Sequence, residues 1–333
     1  MPIDVHAHLV PPSILDRLAQ MGPGGGVEVI GRPPACQQCL SFAYGLKARP
    51  FFSRLVEPMK ARLDHMDGQG ITRQVLSIWT DIFGYGLPAR QGGAWHRLMN
   101  EELAAWCEPQ RDRFSWLASG HLPDGASAAR ELERAVREGG AVGGVVAANA
   151  EGTNLGDLPL DDYWAAACEL DVPVFIHPAQ PDPPARVRRY ALNPIVQYTY
   201  DTTLAIGSLI SSGVMDRFPE LRLITSHGGG TFPYLAGRFD CLHQRTAREA
   251  SGNQARHKPS AYLSRFHYDT LLHNPAALRF LAQSVGVGAL VLGTDDSFPP
   301  ADEDPLGSLR AAQFTGAEID AIAERNPRQL FRF

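Results

Sequence analysis

The sequence predicts an α/β fold, namely one (β/α)8 barrel of the TIM type with a loop insertion after its first strand. Eight short apolar segments alternate with segments of helical periodicity, which is the order of strands and helices in such barrels. The apolar segments are mostly continuous runs, as expected for parallel strands buried on both faces. The 333 residues contain no evident linker, so residues 1–333 are expected to form a single domain. A doubly wound α/β sheet is the competing architecture.

The predicted elements follow one another in a regular order. Strands are predicted at residues 3–8, 72–79, 114–118, 141–148, 172–177, 221–227, 266–269 and 288–295. Helices are predicted at residues 51–68, 92–107, 127–138, 160–170, 203–214, 275–285 and 317–325. Two prolines at positions 11 and 12 end the first strand, since proline cannot continue a strand ladder. Residues 21–50 are rich in glycine and proline and are interpreted as a long loop insertion, a kind of segment that often carries binding residues.

The ends of the predicted strands carry residues that bind metals. The first strand ends in His-x-His, and because side chains alternate along a strand, His6 and His8 point to one face and can meet at one ion. His177, His227 and Asp295 end the fifth, sixth and eighth strands. Taken singly, each could be an incidental histidine or an aspartate that caps a turn. Because barrel active sites lie at the carboxyl ends of the strands, the set predicts one metal site.

The types of ligand narrow the metal and the chemistry. Three imidazoles and one carboxylate favour zinc, with manganese or iron possible. The fourth predicted strand offers no lysine or glutamate to bridge a second ion, so one ion per chain is expected. His227 precedes three glycines, which allow close approach of backbone and substrate. His227 is therefore the candidate acid or base beside the metal, with a further ligand as the alternative, and Asp295 is a second candidate base.

Composition restricts the partners and the compartment. The formal net charge is -5 and no basic block is present, which argues against nucleic acid and anionic membrane surfaces. No apolar run approaches the length of a membrane span and no secretion signal is evident at the N-terminus. Cys36 and Cys39 are the only close pair among five cysteines. We expect reduced, non-catalytic thiols in a cytoplasmic protein.

Six motifs together carry a resemblance to a known family. They are Ile3-Asp4-Val5-His6-Ala7-His8, Phe175-Ile176-His177-Pro178, Asp201-Thr202-Thr203-Leu204-Ala205-Ile206, Gly213-Val214-Met215-Asp216-Arg217-Phe218-Pro219, Ser226-His227-Gly228-Gly229-Gly230 and Leu292-Gly293-Thr294-Asp295. The set resembles the amidohydrolase superfamily, and within it the branch that contains aminocarboxymuconate semialdehyde decarboxylase. The resemblance covers essentially the whole chain.

The resemblance implies a fold, a cofactor and an activity. It implies a distorted barrel with one zinc ion held by His6, His8, His177 and Asp295, and a catalytic His227. It also implies a homodimer that decarboxylates a small unsaturated or aromatic carboxylic acid without oxidation. The residues themselves leave three alternatives: hydrolysis of an amide, ester or lactone, hydration of a double bond, and metal binding without catalysis.

The resemblance also suggests how the substrate is held. Arg49 and Arg238 lie where the family places the arginines that bind the substrate carboxylate, Arg49 within its own chain and Arg238 across a dimer. Solvated surface arginines are the alternative for both positions. Three departures leave the particular substrate open: residues 193–198 lack an expected tryptophan, and His121 and Asp296 replace residue types expected near the pocket. Related decarboxylases of aromatic acids often have Glu-x-His at this position, so the His-x-His motif argues against close similarity to them.

Overall fold

The computed structural model describes residues 1–21, 23–31, 39–246 and 251–333. Its strands are β1 (Ile3–Leu9), β2 (Val27–Val29), β3 (Leu40–Phe42), β4 (Arg73–Ile78), β5 (Phe114–Ser119), β6 (Gly143–Ala147), β7 (Asn149–Ala150), β8 (Thr153–Asn154), β9 (Val174–His177), β10 (Leu223–Thr225), β11 (Phe266–Asp269) and β12 (Leu290–Val291). Its α-helices are α1 (Ser13–Met21), α2 (Met59–Gln69), α3 (Ala89–Cys107), α4 (Gly125–Arg137), α5 (Asp161–Glu169), α6 (Tyr198–Ser211), α7 (Val214–Arg217), α8 (Phe232–Arg245), α9 (Pro275–Val285), α10 (Pro305–Ala311), α11 (Gly316–Asp320) and α12 (Asn326–Phe331).

The central sheet has eight parallel strands in the order β1-β4-β5-β6-β9-β10-β11-β12. Backbone hydrogen bonds join its two edges: Val5 N donates to Leu292 O at 2.9 Å, and His8 N donates to Asp296 O at 3.1 Å. An isolated parallel bridge between Ala7 and Asp296 continues this seam. The sheet therefore closes into a barrel, which confirms the predicted fold class. The doubly wound alternative, which has an open sheet, is wrong.

The eighth strand is much shorter than the predicted segment 288–295. A Cβ atom at Gly293 would lie 2.9 Å from the Cβ of His6 and 2.8 Å from that of Asp269, so only glycine fits between these two side chains. Two residues later, Asp295 adopts a φ of 58°, which regular strands do not contain. The backbone thus leaves the ladder early, and this departure places the Asp295 carboxylate over the mouth of the barrel.

The structure differs from the predicted elements within the insertion and in several helices. Within the insertion, β2 and β3 pair as an antiparallel hairpin, so the described part of residues 21–50 is not simply a loop. The helices α1 and α8 were not predicted, and the helix predicted at 51–68 is a short 3-10 turn at Ser53–Val56 followed by α2. Pro58 lies directly before α2, where its fixed φ and missing N–H favour the start of a helix.

The helices pack against the barrel through regularly spaced apolar side chains. On α3, Trp95, Leu98, Met99 and Leu103 are all buried, at the spacing of one helical face. Where α4 begins, the Asp124 side chain accepts a hydrogen bond from the backbone N of the third residue inward at 3.0 Å, a cap worth about 1 kcal/mol. Among the described residues, no helix combines the length and the apolar character that a membrane span requires.

The cysteines differ in part from the expectation of reduced thiols. Cys107, Cys168 and Cys241 are free, and burial raises the pKa of the Cys107 thiol to about 12. Such a thiol is not a nucleophile at neutral pH. Cys39, however, is disulfide-bonded, so the expectation is wrong for this residue. Cys36 lies outside the described residues.

Candidate metal centre and its cavity

Four side chains that are distant in sequence converge at the carboxyl end of the barrel. His6, His8, His177 and Asp295 are all buried, and one ligand atom from each lies within 4.8 Å of every other. The Oδ1 atom of Asp295 is 3.0 Å from His6 Nε2, 3.3 Å from His8 Nε2 and 3.8 Å from His177 Nε2. This is the set that the strand ends predicted, brought together from β1, β9 and the turn after β12.

Each of the three imidazoles is oriented by a contact at its other nitrogen. The partners of the Nδ1 atoms are Asp269 Oδ2 at 2.6 Å for His6, Ser77 Oγ at 3.1 Å for His8 and Thr80 Oγ1 at 3.1 Å for His177. These contacts direct the Nε2 atoms toward one point, as in proteins whose metal ligands are held by hydrogen bonds. The sequence reasoning missed Asp269, although it ends the seventh strand, where the rule that found Asp295 also applies.

The electrostatics of the cluster favour a bound cation. Burial lowers the pKa of His8 to about 4 and that of His177 well below its usual value, so both rings are neutral at pH 7 and can offer a lone pair. Burial opposes charge on His6 as well, but Asp295 and Asp269 outweigh it and raise the pKa of His6 to about 10. Despite its burial, Asp295 has a pKa well below the usual range because of these histidines.

Two buried atoms in the cluster have no hydrogen-bond partner among the described residues. They are Nε2 of His177 and Oδ1 of Asp295. A buried polar atom without a partner costs about 1–3 kcal/mol, and both atoms point into the cluster. Three imidazole nitrogens and a carboxylate oxygen are a donor set that divalent zinc and related ions accept. The residues therefore fit a divalent metal ion.

His227 lies beside the four converging groups, on the turn after β10. Its Nε2 is 3.6 Å from Asp295 Oδ2, and its φ of 53° is unusual for a residue with a side chain. Asp269 holds this turn, because its carboxylate accepts hydrogen bonds from the backbone N of His227 at 2.9 Å and of Gly228 at 2.8 Å. The same carboxylate contacts His6. Asp269 therefore fixes His227 relative to the cluster, which an acid or base requires.

A cavity of about 710 Å³ lies over the cluster. Its walls are mostly apolar, and they include Phe52, Trp79, Pro194, Ile195, Leu271, Leu272 and Phe298. The rings of Phe52 and Phe298 are 5.4 Å apart and those of Trp79 and Phe298 are 6.2 Å apart. His177, His227 and Asp295 form its polar base. The cavity suits a small, flat molecule that presents one polar side to the base.

Arg49 places a cation in the wall of this cavity. Its Nη2 donates to Asp81 Oδ2 and, at 2.5 Å, to the hydroxyl of Tyr198. The guanidinium carbon lies 5.2 Å from the centre of the Trp79 ring, within range of a cation–π contact. The structure thus brings Arg49 to the cavity of its own chain. Neither Asp81 nor Tyr198 was singled out from the sequence.

Arg238 lies elsewhere. It is exposed on α8 and is absent from the described lining of the cavity. On the same helix, Tyr234 is 79% and Leu242 is 54% exposed, so the surface around Arg238 is apolar for an exposed face. The structure therefore does not bring Arg238 into the described lining of the cavity of its own chain.

His121 and Asp296 do not line the cavity. His121 packs against His96, with ring centres 6.1 Å apart. The Asp296 carboxylate accepts a hydrogen bond from Gln74 Nε2 at 2.9 Å and pairs with Arg62 Nη1 at 3.2 Å. Asp296 and Arg62 are both fully buried. They form an ion pair beneath the cluster.

Arg62 stabilises the backbone around the candidate ligands, and the sequence did not reveal it. It is a fully buried arginine on α2, and its Nη2 donates to the backbone oxygen of His8 at 2.8 Å and to Ser297 Oγ at 2.6 Å. It therefore ties the strand that carries two candidate ligands to the turn that follows Asp295. No periodic pattern signals such a residue, because a long charged side chain usually indicates an exposed position.

This chain has a closed α/β barrel with buried histidine and aspartate side chains at the carboxyl ends of its strands. These features are typical of metal-binding barrel proteins. The sequence model of the amidohydrolase family matches residues 3–333, and the chain belongs to this family. The resemblance inferred from the motifs is confirmed.

Curated relatives agree with this placement, and a solved structure shares the fold. The chain is 30% identical over 325 residues to the 2-amino-3-carboxymuconate-6-semialdehyde decarboxylase of Dictyostelium discoideum, covering 97% of this chain and 86% of that protein. It is 30% identical over 312 residues to the gamma-resorcylate decarboxylase of Rhizobium radiobacter, covering 90% and 95%. The structure of a Polaromonas dihydroxybenzoic acid decarboxylase with bound manganese and 2-nitroresorcinol matches with a TM-score of 0.78 and 23% identity, covering 99% and 96%.

Proposed function

We propose that this protein is a metal-dependent enzyme that decarboxylates a small aromatic or unsaturated carboxylic acid without oxidation. The observation that carries the proposal is the shared location of three features: four buried ligand groups, His227 beside them and Arg49 in the wall of the same apolar cavity. The relatives that match most of the chain are decarboxylases of such acids. A flat apolar substrate with one carboxylate fits this combination of walls and charges.

His6, His8, His177 and Asp295 would hold one divalent ion. Zinc is our first choice because three imidazoles and one carboxylate suit it, with manganese or iron as alternatives. Manganese is the ion in the related Polaromonas structure. A bound ion supplies a positive charge that polarises a substrate oxygen and stabilises negative charge.

The remaining polar residues divide the reaction between them. Arg49 binds and orients the substrate carboxylate, since guanidinium and carboxylate form two parallel hydrogen bonds. The bond between the carboxylate carbon and the rest of the substrate then breaks, and carbon dioxide leaves. The electron pair stays on the substrate carbon, which takes up one proton. His227 delivers that proton, with Asp295 as the second acid–base group 3.6 Å from it. The apolar walls exclude water, which strengthens these electrostatic contacts.

We further propose that the working enzyme is a homodimer of single-domain chains in the cytoplasm. The exposed apolar side chains around Arg238 support an interface on α8, where Arg238 would reach the site of the partner subunit. Mixing Arg238→Ala with His227→Asn subunits tests this arrangement. We expect partial recovery of activity, because some mixed dimers contain one intact site. Mixing Arg49→Ala with His227→Asn should recover none. Absence of recovery in both mixtures, with subunit exchange confirmed by mass, would exclude the shared site.

Hydrolysis of an amide, ester or lactone is the second candidate, and hydration of a double bond is the third. The observation that favours them is the pair of His227 and Asp295, which could equally activate water beside a metal ion. Metal-loaded protein should be assayed with a panel of aromatic and unsaturated carboxylic acids and, in parallel, with amides, esters and lactones. We expect carbon dioxide from at least one acid, its loss after chelation and its return with zinc or manganese. Hydrolysis without carbon dioxide release from any acid would refute the decarboxylase.

A further inference from the structure

A second cavity adjoins the first. It has a volume of about 1260 Å³ and lies between the end of the insertion and the segment after β9. Lys47, Asp81, Gln180 and Arg188 belong to its wall. Among the described residues, Arg49 is the one side chain that lines both this cavity and the cavity over the metal cluster. We call the first the metal cavity and the second the side cavity.

Three side chains separate the two cavities. Arg49 donates through the same nitrogen to Asp81, which lines the side cavity, and to Tyr198, which lines the metal cavity. Asp81 is only 2% exposed, and its other oxygen accepts a hydrogen bond from the backbone N of Gln180 at 2.9 Å. Asp81 is thus fixed, whereas Arg49 has a long side chain with several rotatable bonds. We name Arg49, Asp81 and Tyr198 the Arg49 partition.

Beside the partition, Thr80 and His177 form a second thin contact between the two cavities. Thr80 lines the side cavity, and its hydroxyl lies 3.1 Å from Nδ1 of His177. His177 in turn lines the metal cavity. A molecule in the side cavity can therefore contact Thr80, which itself contacts a member of the metal cluster. Both cavities lie on the same side of the barrel.

The side cavity presents cations in a row that leads to the partition. Lys47 and Arg49 both line it, while Ala48 between them is fully buried, as expected of an extended segment whose side chains alternate. Lys47 forms no ion pair within the described residues. The Nε atom of Arg49 is buried and lacks a hydrogen-bond partner there. A free ammonium followed by an unused guanidinium donor is suited to a carboxylate.

The side cavity has three basic and three acidic side chains in its wall, and most of them are paired. Arg188 is paired with Asp182 at 2.9 Å, and Asp81 is paired with Arg49. Glu151 is the remaining acid in the wall, and burial raises the pKa of its carboxyl group. Among the described residues, Lys47 and the Nε atom of Arg49 are therefore the basic groups of the wall that have no acidic partner, and they give a carboxylate a local binding position.

We propose that the side cavity is an access chamber for a small carboxylic acid, which contacts Lys47, then Arg49, and enters the metal cavity when Arg49 turns away from Tyr198. This inference rests on the proposed function, because it takes the carboxylate that Arg49 binds to be that of the substrate. Asp81 holds the guanidinium of Arg49 until the acid arrives. The carboxylate of the acid then replaces that of Asp81 as the partner of Arg49. No bond is made or broken in this passage.

The test compares two lysine variants with the same change in charge. Lys47→Glu alters the side cavity, whereas Lys60→Glu alters an exposed residue on α2 that lines neither cavity. Binding of 4-nitrobenzoate to metal-loaded protein is followed by stopped-flow quenching of tryptophan fluorescence, because Trp79 lies in the metal cavity. We expect Lys47→Glu to lower both the association and dissociation rate constants by about 5-fold, with Kd nearly unchanged and a weaker salt dependence.

Lys60→Glu should resemble the unchanged protein in both rate constants, in Kd and in the salt dependence. Equal rate constants for the two variants would overturn the inference, because a group on the path must act on passage in both directions. A change confined to Kd would also overturn it, since Lys47 would then contact the ligand in its final position.

A second measurement does not depend on catalysis. Crystals of metal-loaded protein are soaked in 4-bromobenzoate, and the anomalous signal of bromine is located. We expect one peak in the side cavity near Lys47 and Arg49 in addition to a peak in the metal cavity. A peak in the metal cavity alone would count against an access chamber. Bromine in the side cavity of a protein that decarboxylates no acid would refute the proposed function while leaving this anion site in place.

Discussion

The metal cluster and the Arg49 partition are neighbours, with the ring centres of His177 and Tyr198 6.4 Å apart, but they are built in opposite ways. The cluster consists of short side chains at strand ends, and each of its imidazoles has a second contact that fixes the ring. The partition is formed by side chains from the insertion, from the turn after β4 and from the start of α6, and Arg49 is one-third exposed. The difference indicates that the barrel fixes the chemistry, whereas the loops decide which molecule reaches it.

Removal of a ligand should break the cluster without affecting the partition. We expect His177→Ala to lose the metal and to reduce turnover to background, because the remaining groups leave one coordination position open. Elemental analysis of the purified protein measures the loss, and circular dichroism checks the fold. Gln69→Ala on α2 serves as the control, because Gln69 lines neither cavity. Full metal content in His177→Ala would show that His177 is not a ligand.

His227→Asn separates the acid–base group from the ligands. The variant should keep its metal but lose turnover by at least about 100-fold, the usual scale of acid–base catalysis. The amide of asparagine preserves polarity but cannot transfer a proton in the same way. Metal content and kcat are measured on the same preparation. If this variant purifies without metal, His227 is a further ligand and the distinction between the two roles fails.

Arg49→Lys should affect the partition alone. Lysine keeps the positive charge but cannot form two parallel hydrogen bonds with a carboxylate. We expect kcat/KM to fall by about 10-fold, since a charged hydrogen bond contributes roughly 1.5–3 kcal/mol, while metal content stays unchanged. Arg97→Lys, an exposed arginine that pairs with Glu101 on α3, serves as the matched control. An effect on metal content would mean that cluster and partition are not independent.

The contrast between the two regions also explains what the sequence could predict. The ligands were predictable because alternation on β1 and the position of each strand end determine where a side chain points. The same rule would have identified Asp269. The Arg49 partition was not predictable, because Asp81 and Tyr198 meet Arg49 only through loops whose paths no local pattern specifies. Arg62 was missed for another reason: a buried arginine depends on partners such as Asp296, which lie far away in the sequence.

Differences in the fold have equally local causes. The strand predicted at 288–295 is short because Asp295 needs a left-handed backbone to reach the cluster. The helix α8 begins after the glycines that follow His227, and these glycines concealed its start, since glycine usually ends a helix. The hairpin of β2 and β3 has strands of only three residues, too short for an alternating pattern to be recognised.

The seam between β1 and β12 has a consequence for the synthesis of the protein. The Asp4 carboxylate accepts a hydrogen bond from the backbone N of Thr294, 290 residues later in the chain. Chains emerge from the ribosome at roughly 5–20 residues per second, so β1 waits for roughly 15–60 s without its closing neighbour. During that time His6 and His8 cannot meet Asp295. A site that needs all four groups therefore forms only after β12 and the turn that carries Asp295 have been synthesised.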